Sequence, residues 1–258
     1  MTTAFFHRDG DWLVGNDGAR GPWSADACHA GPVTGALAAA AEALVRDKTL
    51  TRLTANYWRP IPMDGFRLDA QIFREGRTST LANVALHDRD GRLSASAECL
   101  FLATAPNELP SASIDAPVFE DSEAGQFPVD KTRHDKKFFG HCIDIRYPPG
   151  EDGSPGPTTL WMRTPSIVEG DTMTSFQSLC PLADCGNDIS RNTEITQASC
   201  INADLTISVF RQPRSDWLAA RTISFWETDG IGMSHAMLFD KIGAIGTALQ
   251  SLIVRASS

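Results

Sequence analysis

The stretch "HAGPVTGALAAAAEALVRD" (29–47) narrows the choice of fold more than any other part of the chain. Val33, Leu37, Ala41, Leu44 and Val45 recur at helical spacing, and nearly every other position is Ala or Gly. A helix that is apolar almost all round is buried on every side. Its small side chains predict that other backbone packs very close to it, and Pro32 suits its first turn. Strand patterns follow. In "FRLDAQIFREGR", Phe66, Leu68, Ala70 and Ile72 alternate with polar residues, and "TSTLANVALHDRDGRLSASAECLFLA" reads as a hairpin closed at Asp90-Gly91. A buried helix followed by long antiparallel strands predicts an α+β fold in which a sheet curls around the helix.

The same order recurs further on. "TMTSFQSLCPLADCGNDIS" is helix-like, with Pro181 set to start or kink it, and strands follow again. "LTANYWRPIP" (53–62) is echoed by "LTISVFRQP" (205–213): Leu-Thr, alternation, an aromatic, an Arg and a Pro. Between the halves, "NELPSASIDAPVFEDSEAGQFPVDKTRHDKK" is rich in Pro, Ser and acidic residues and has no sustained period, as a linker would be. The expected layout is a module over 1–104, a linker over 105–137 and a second module over 138–258.

The net charge of −9 argues against a nucleic-acid partner, which requires a basic surface to displace counterions. No run of eighteen apolar residues predicts a membrane span, and the first residues lack the pattern of a secretory signal. The six cysteines show no metal-binding spacing and read as buried, reduced thiols of a cytoplasmic protein, with no metal and no cofactor expected. Ser154 in "DGSPG" lies in a polar loop with no preceding strand, so it is not a nucleophile elbow.

In the order and spacing of these stretches the chain resembles the double hot-dog acyl-CoA thioesterases of the thioesterase II type. The resemblance rests on "HAGPVTGALAAAAEAL", "LTANYWRPIP" with "DAQIFREGRTST", "PLADCGNDIS", "INADLTISVFRQP" and "ALQSLIVR", and covers nearly everything outside the linker. It implies a tandem hot-dog: two antiparallel sheets, each wrapped around a central helix. It also implies hydrolysis of an acyl-CoA thioester to an acid and CoA by a positioned water, without a nucleophilic Ser or Cys. The implied base is Asp184 in "PLADCG", and the implied amide is Gln250 in "ALQSLIVR". The family's hydroxyl position falls on Asn202 in "INADLT", a departure that keeps one hydrogen-bond acceptor and two donors. The resemblance also allows a homodimer.

Read as residues, each of these has a plainer explanation. Asp184 fits a helix end, and Asp188 competes with it for the role of base. Asn202, Asp204, Thr206 and Ser208 alternate with Ile201, Ala203, Leu205 and Ile207, which puts the four polar residues on one strand face. Gln250 shares a face with Ala248, Leu252 and Val254 and is expected to be buried. Gly186, Gly31 and Gly35 are candidates for close approach of substrate, against tight packing as the alternative. His29 has no Asp in the matching helix place and is expected to be structural or at the rim. Arg59, Arg74, Arg77 and Arg211 are candidates for the CoA phosphates. Two alternatives to hydrolysis stand beside it: a non-catalytic acyl-CoA-binding module, favoured by Asn202, and a hot-dog hydratase.

Overall fold

The computed structural model describes residues 4–129 and 134–256. A hairpin of β1 (Ala4–Asp9) and β2 (Trp12–Gly15) turns at Gly10, whose φ of 61° suits a residue without Cβ. Then come α1 (Ala30–Leu44), β3 (Thr49–Tyr57), β4 (Phe66–Glu75), β5 (Ser79–Asp88) and β6 (Leu93–Leu102). The second half holds β7 (Glu123–Gly125), β8 (Asp144–Tyr147), β9 (Thr158–Arg163) and β10 (Ser166–Val168). It continues with α2 (Ser175–Ala183), α3 (Gly186–Ile189), β11 (Ala198–Asn202) and β12 (Asp204–Val209). It ends with β13 (Leu218–Trp226), β14 (Ile231–Asp240) and β15 (Gly243–Ala256).

Two separate sheets are expected from the sequence; among the described residues there is instead one 15-stranded sheet. Its order is β10-β1-β2-β4-β5-β6-β3-β12-β15-β14-β13-β9-β8-β7, with β11 also pairing β15. The physical reason is the edge problem: β3 and β12 would each expose a row of unpaired backbone groups, and they satisfy one another instead. Their register sets Leu53 against Ile207, Thr54 against Thr206 and Ala55 against Leu205. The two echoed sequences are therefore the two strands that meet. Thr54 and Thr206, equivalent in the echo and 152 residues apart, face each other with hydroxyls 3.1 Å apart. That is the self-pairing found on the axis of an isologous dimer, here within one chain. The second half also lends β10 to the first, parallel to β1.

Both helices lie on the sheet's inner side and pack on each other. Along α1, Val33, Ala36, Leu37, Ala38 and Ala41 are fully enclosed. A Cβ at Gly31 would come within 2.8 Å of the Pro181 Cα and 2.9 Å of its carbonyl oxygen, so Gly31 is where α1 and α2 cross most tightly. At Gly35 a Cβ would run into Ile167. The helices run antiparallel. At the far end from Gly31, Glu42 of α1 accepts hydrogen bonds from Thr174 Oγ1 (2.9 Å) and Gln177 Nε2 (2.7 Å) at the start of α2.

The segment read as a linker is tied down along much of its length. The Ile114 carbonyl accepts from the Ala244 N–H at 2.9 Å. Phe119 packs edge-on against Trp161 with ring centroids 5.3 Å apart, and Phe127 and Val129 enter the main core. Residues 130–133, also read as linker, lie outside the described residues. No helix among the described residues is long and apolar enough to cross a membrane.

Candidate active site

Pro181 removes one backbone donor from α2, and the helix ends at Ala183. Asp184 follows as the C-cap, still in helical backbone conformation, and α3 resumes at Gly186. The Asp184 side chain is thereby turned toward the start of α1 and is only 4% exposed as a residue. Asp188, four residues on, lies on the same side.

Three side chains from three parts of the chain converge on this carboxylate. Asn202 Nδ2, at the end of β11, donates to Asp184 Oδ1 at 2.8 Å. Gln250 Nε2, on β15, donates to the Asp184 main-chain oxygen at 2.8 Å and reaches Oδ1 at 3.4 Å. The other end of the Gln250 amide accepts the Asn187 N–H at 3.2 Å. Gln250 is 1% exposed and its amide is used at both ends, which locks its orientation. From α1, His29 Nδ1 lies 3.1 Å from Asp184 Oδ2, and Nε2 lies 4.0 Å from Asp188 Oδ2.

Asn202 reaches this cluster because of an irregularity that simple alternation does not reveal. It pairs with Leu252 of β15, whereas Thr206 pairs with Leu249. Four residues on one strand thus face three on the other, and the extra residue near Ala203 switches the parity of the strand. The expected common face of Asn202, Asp204, Thr206 and Ser208 is therefore corrected: Asn202 joins Leu205 and Ile207 on the inner face, and Ile201 is turned out to solvent. A bulge beside a functional group commonly re-aims a side chain in this way.

Of the two places expected for His29, structural or at the rim, the structure shows the first: it is buried and serves as N-cap of α1 by accepting the Gly31 N–H at 3.1 Å. The expectation that no Asp stands opposite it is corrected by Asp184. Its ring stacks on Phe139 with centroids 4.2 Å apart. The signal that could have found it is the duplication itself: antiparallel central helices bring the start of the first against the end of the second, where "PLADCG" stands. Nearby, the Tyr57 hydroxyl is 2.6 Å from Thr34 Oγ1, which donates to the Ala30 carbonyl at 2.9 Å. Thr34 has spent its one hydrogen, so Tyr57 is the donor of that pair.

Burial, opposed by His29 and reinforced by Asp184, pushes the Asp188 carboxyl up to about 6. Burial likewise pushes the thiols of Cys180 and Cys185 well up, which keeps both neighbours of Asp184 protonated and unsuited to nucleophilic attack. Gly186 brings α3 onto the sheet: a Cβ there would lie 2.5 Å from Ser234 Oγ and 2.8 Å from Gln250 Oε1. The space beside Gly31 and Gly35 is filled by protein atoms in the same way. Arg211, a candidate for phosphate, is committed to Asp240 through bonds of 2.6 and 2.9 Å. Arg59 donates to the Leu93 carbonyl at 2.8 Å, and Arg74 and Arg77 are exposed and stand away from this cluster in the sheet order.

Comparison with known proteins places these features in a family. No curated protein sequence matches the chain significantly. A Novosphingobium aromaticivorans protein described as a thioesterase superposes with a TM-score of 0.74 at 19% identity, covering 96% of this chain and 98% of that one. An Alicyclobacillus acidocaldarius protein with a hot dog fold gives 0.73 at 14% identity, over 97% and 96%. Acyl-CoA thioesterase II TesB2 of Mycobacterium marinum gives 0.68 at 16% identity, over 89% and 90%. These likenesses establish the hot-dog fold. The family model of the acyl-CoA thioesterase N-terminal domain matches residues 19–105 and that of the C-terminal domain residues 115–254, so the chain belongs to the acyl-CoA thioesterase family.

Proposed function

We propose that this chain is two hot-dog modules in tandem and that it hydrolyses an acyl-CoA thioester, using Asp184 as the base. The observation that carries the reading is the convergence of Asp184, Asn202 and Gln250. Thioester hydrolysis at neutral pH needs water to lose a proton as its oxygen attacks the carbonyl carbon. Asp184 is a buried carboxylate held by amide donors on one oxygen, which fixes its position while its lone pairs remain able to accept a proton from water. Collapse of the tetrahedral intermediate breaks the C–S bond, and CoA leaves as a thiolate that needs little acid assistance. Both halves of the site come from one chain, so a second copy is not needed to complete it. Six free thiols suit a reducing compartment such as the cytosol.

Asn202 stands where the family has a Ser or Thr, and its Nδ2–H donates to the Asp184 carboxylate. Asn202→Ala is expected to lower kcat roughly tenfold, about the worth of one hydrogen bond to a charged group, with KM little changed. Steady-state kinetics check this, and a change confined to KM would place Asn202 in binding instead.

The function itself is tested by following free thiol release from short, medium, long and aromatic acyl-CoAs. Saturable release supports it. Binding without release would favour the non-catalytic module. The approach of His29 to Asp184 across the helix pair is the observation that favours a hydratase, so a 2-enoyl-CoA belongs in the panel. Uptake of water with CoA retained would replace hydrolysis by hydration.

A further inference from the structure

One atom in this site is asked to do two incompatible things. His29 Nδ1 has the Gly31 N–H at 3.1 Å and Asp184 Oδ2 also at 3.1 Å. A ring nitrogen carries either a lone pair or a hydrogen. With a hydrogen it would meet the hydrogen of Gly31; with a lone pair it faces a carboxylate oxygen. The second arrangement keeps the cap of α1, and it leaves the ring proton on Nε2, where Asp188 Oδ2 lies 4.0 Å away.

We propose that Asp188 is a positioning residue that acts through His29: by favouring the Nε2–H tautomer, it turns the Nδ1 lone pair toward Asp184 and makes Asp184 a better acceptor of the proton of water. This rests on the hydrolysis proposed above. As water attacks, its proton moves to Asp184 Oδ2, where it supplies the hydrogen missing between that oxygen and Nδ1, whose lone pair until then has only the Gly31 N–H. The hydrogen bond between Asp184 and His29 is thus made only when the base has done its work, which rewards the transition state over the resting state. When the C–S bond breaks, the same proton can pass to the departing thiolate, restoring Asp184, so atoms and charge balance with no further reactant.

The groups around the ring are consistent with this role. Asp184 and Asp188 face it from α2 and α3, and Phe139 covers one ring face. Tyr57 from β3 feels the Asp184 charge but has its hydrogen on Thr34. Arg191, just after α3, tempers Asp188, and Cys185 is held as a thiol. The His29 main-chain N–H donates to the Ala19 carbonyl at 2.7 Å, which fixes the ring's base.

The test is a pH–rate profile combined with a tautomer measurement. In Asp188→Asn the acid limb of kcat/KM is expected to move down by about one pH unit, with a plateau roughly tenfold lower, as befits a weaker base. In a His29→Asn background, which keeps a capping oxygen, Asp188→Asn should move the limb no further. An unmoved limb in the single variant, or an equal shift in both backgrounds, overturns the proposal. Imidazole 15N shifts provide a readout that does not depend on turnover. They should report hydrogen on Nε2 of His29 in the wild type and on Nδ1 in a substantial fraction of Asp188→Asn. A wild-type ring protonated on Nδ1 alone overturns the proposal even in an active enzyme, and hydrogen on Nε2 in a protein that releases no thiol would fail the hydrolysis reading alone.

Discussion

Asp184→Asn is expected to abolish thioester hydrolysis, lowering kcat by about 10²–10⁴, the usual worth of a positioned general base, while the fold persists. The substitution is nearly isosteric. Its carbonyl oxygen can still accept from Asn202, now 2.8 Å from Oδ1, and its NH₂ group would donate to the His29 Nδ1 lone pair that faces Oδ2 at 3.1 Å. What it loses is the capacity to take a proton from water. Thiol release by wild type and variant, with circular dichroism and a urea titration to verify folding, decides the matter. A variant that releases thiol within a few-fold of wild type would remove Asp184 from the role of base and turn attention to Asp188.

The parts of this molecule that were legible in its sequence are those set by local periodicity. The Ala- and Gly-rich run could only be a helix enclosed on all sides, and α1 is that helix. The hairpin at Asp90-Gly91 needed a turn residue between two alternating runs, and Gly91 takes a φ of 77° there. The echo between "LTANYW" and "LTISVF" signalled duplication, yet nothing in either strand says that they pair with each other at Thr54 and Thr206. That follows from closing two open sheet edges, a property of the assembled fold.

The site was harder to read because its members are brought together by departures from regularity. A one-residue bulge decides which way Asn202 points, and a bulge leaves no mark on the alternation of apolar and polar residues until its partner strand is known. His29 gains its meaning from the crossing of α1 and α2, which brings it against Asp184 and Asp188 from the other half of the chain. Arg211 and Arg59 looked alike in the echo, but one is held by a buried carboxylate and the other by a strand carbonyl.

The role of Arg211 leads to the largest expected effect on stability: Asp240→Ala should cost about 3–5 kcal/mol, the range for removing one partner of a buried ion pair. Asp240 ends β14 with no exposed surface. It accepts from both terminal nitrogens of Arg211, and from the backbone N–H groups of Arg214 (2.9 Å), Ile242 (2.9 Å) and Gly243 (3.2 Å). Truncation would strand all of these donors at once. Burial alone would raise this carboxyl, but Arg211 and the N–H groups outweigh burial and hold it below its ordinary value. A depressed carboxylate stabilises the fold above its unfolded pKa, and that contribution fades as pH falls through the lower folded value. Urea midpoints should therefore differ widely between wild type and variant at pH 7 and converge below about pH 4. A deficit under about 1 kcal/mol at pH 7, the size of a surface pair, would mean that the turn resolvates freely. The expected consequence reaches the site, because Arg211 also donates to the Gly243 and Ala244 carbonyls at 3.2 Å each, at the start of the strand that carries Gln250. Asp240→Ala that loses stability should also lose activity at temperatures where it remains folded, through the loosened register of β15 and not through any contact with substrate.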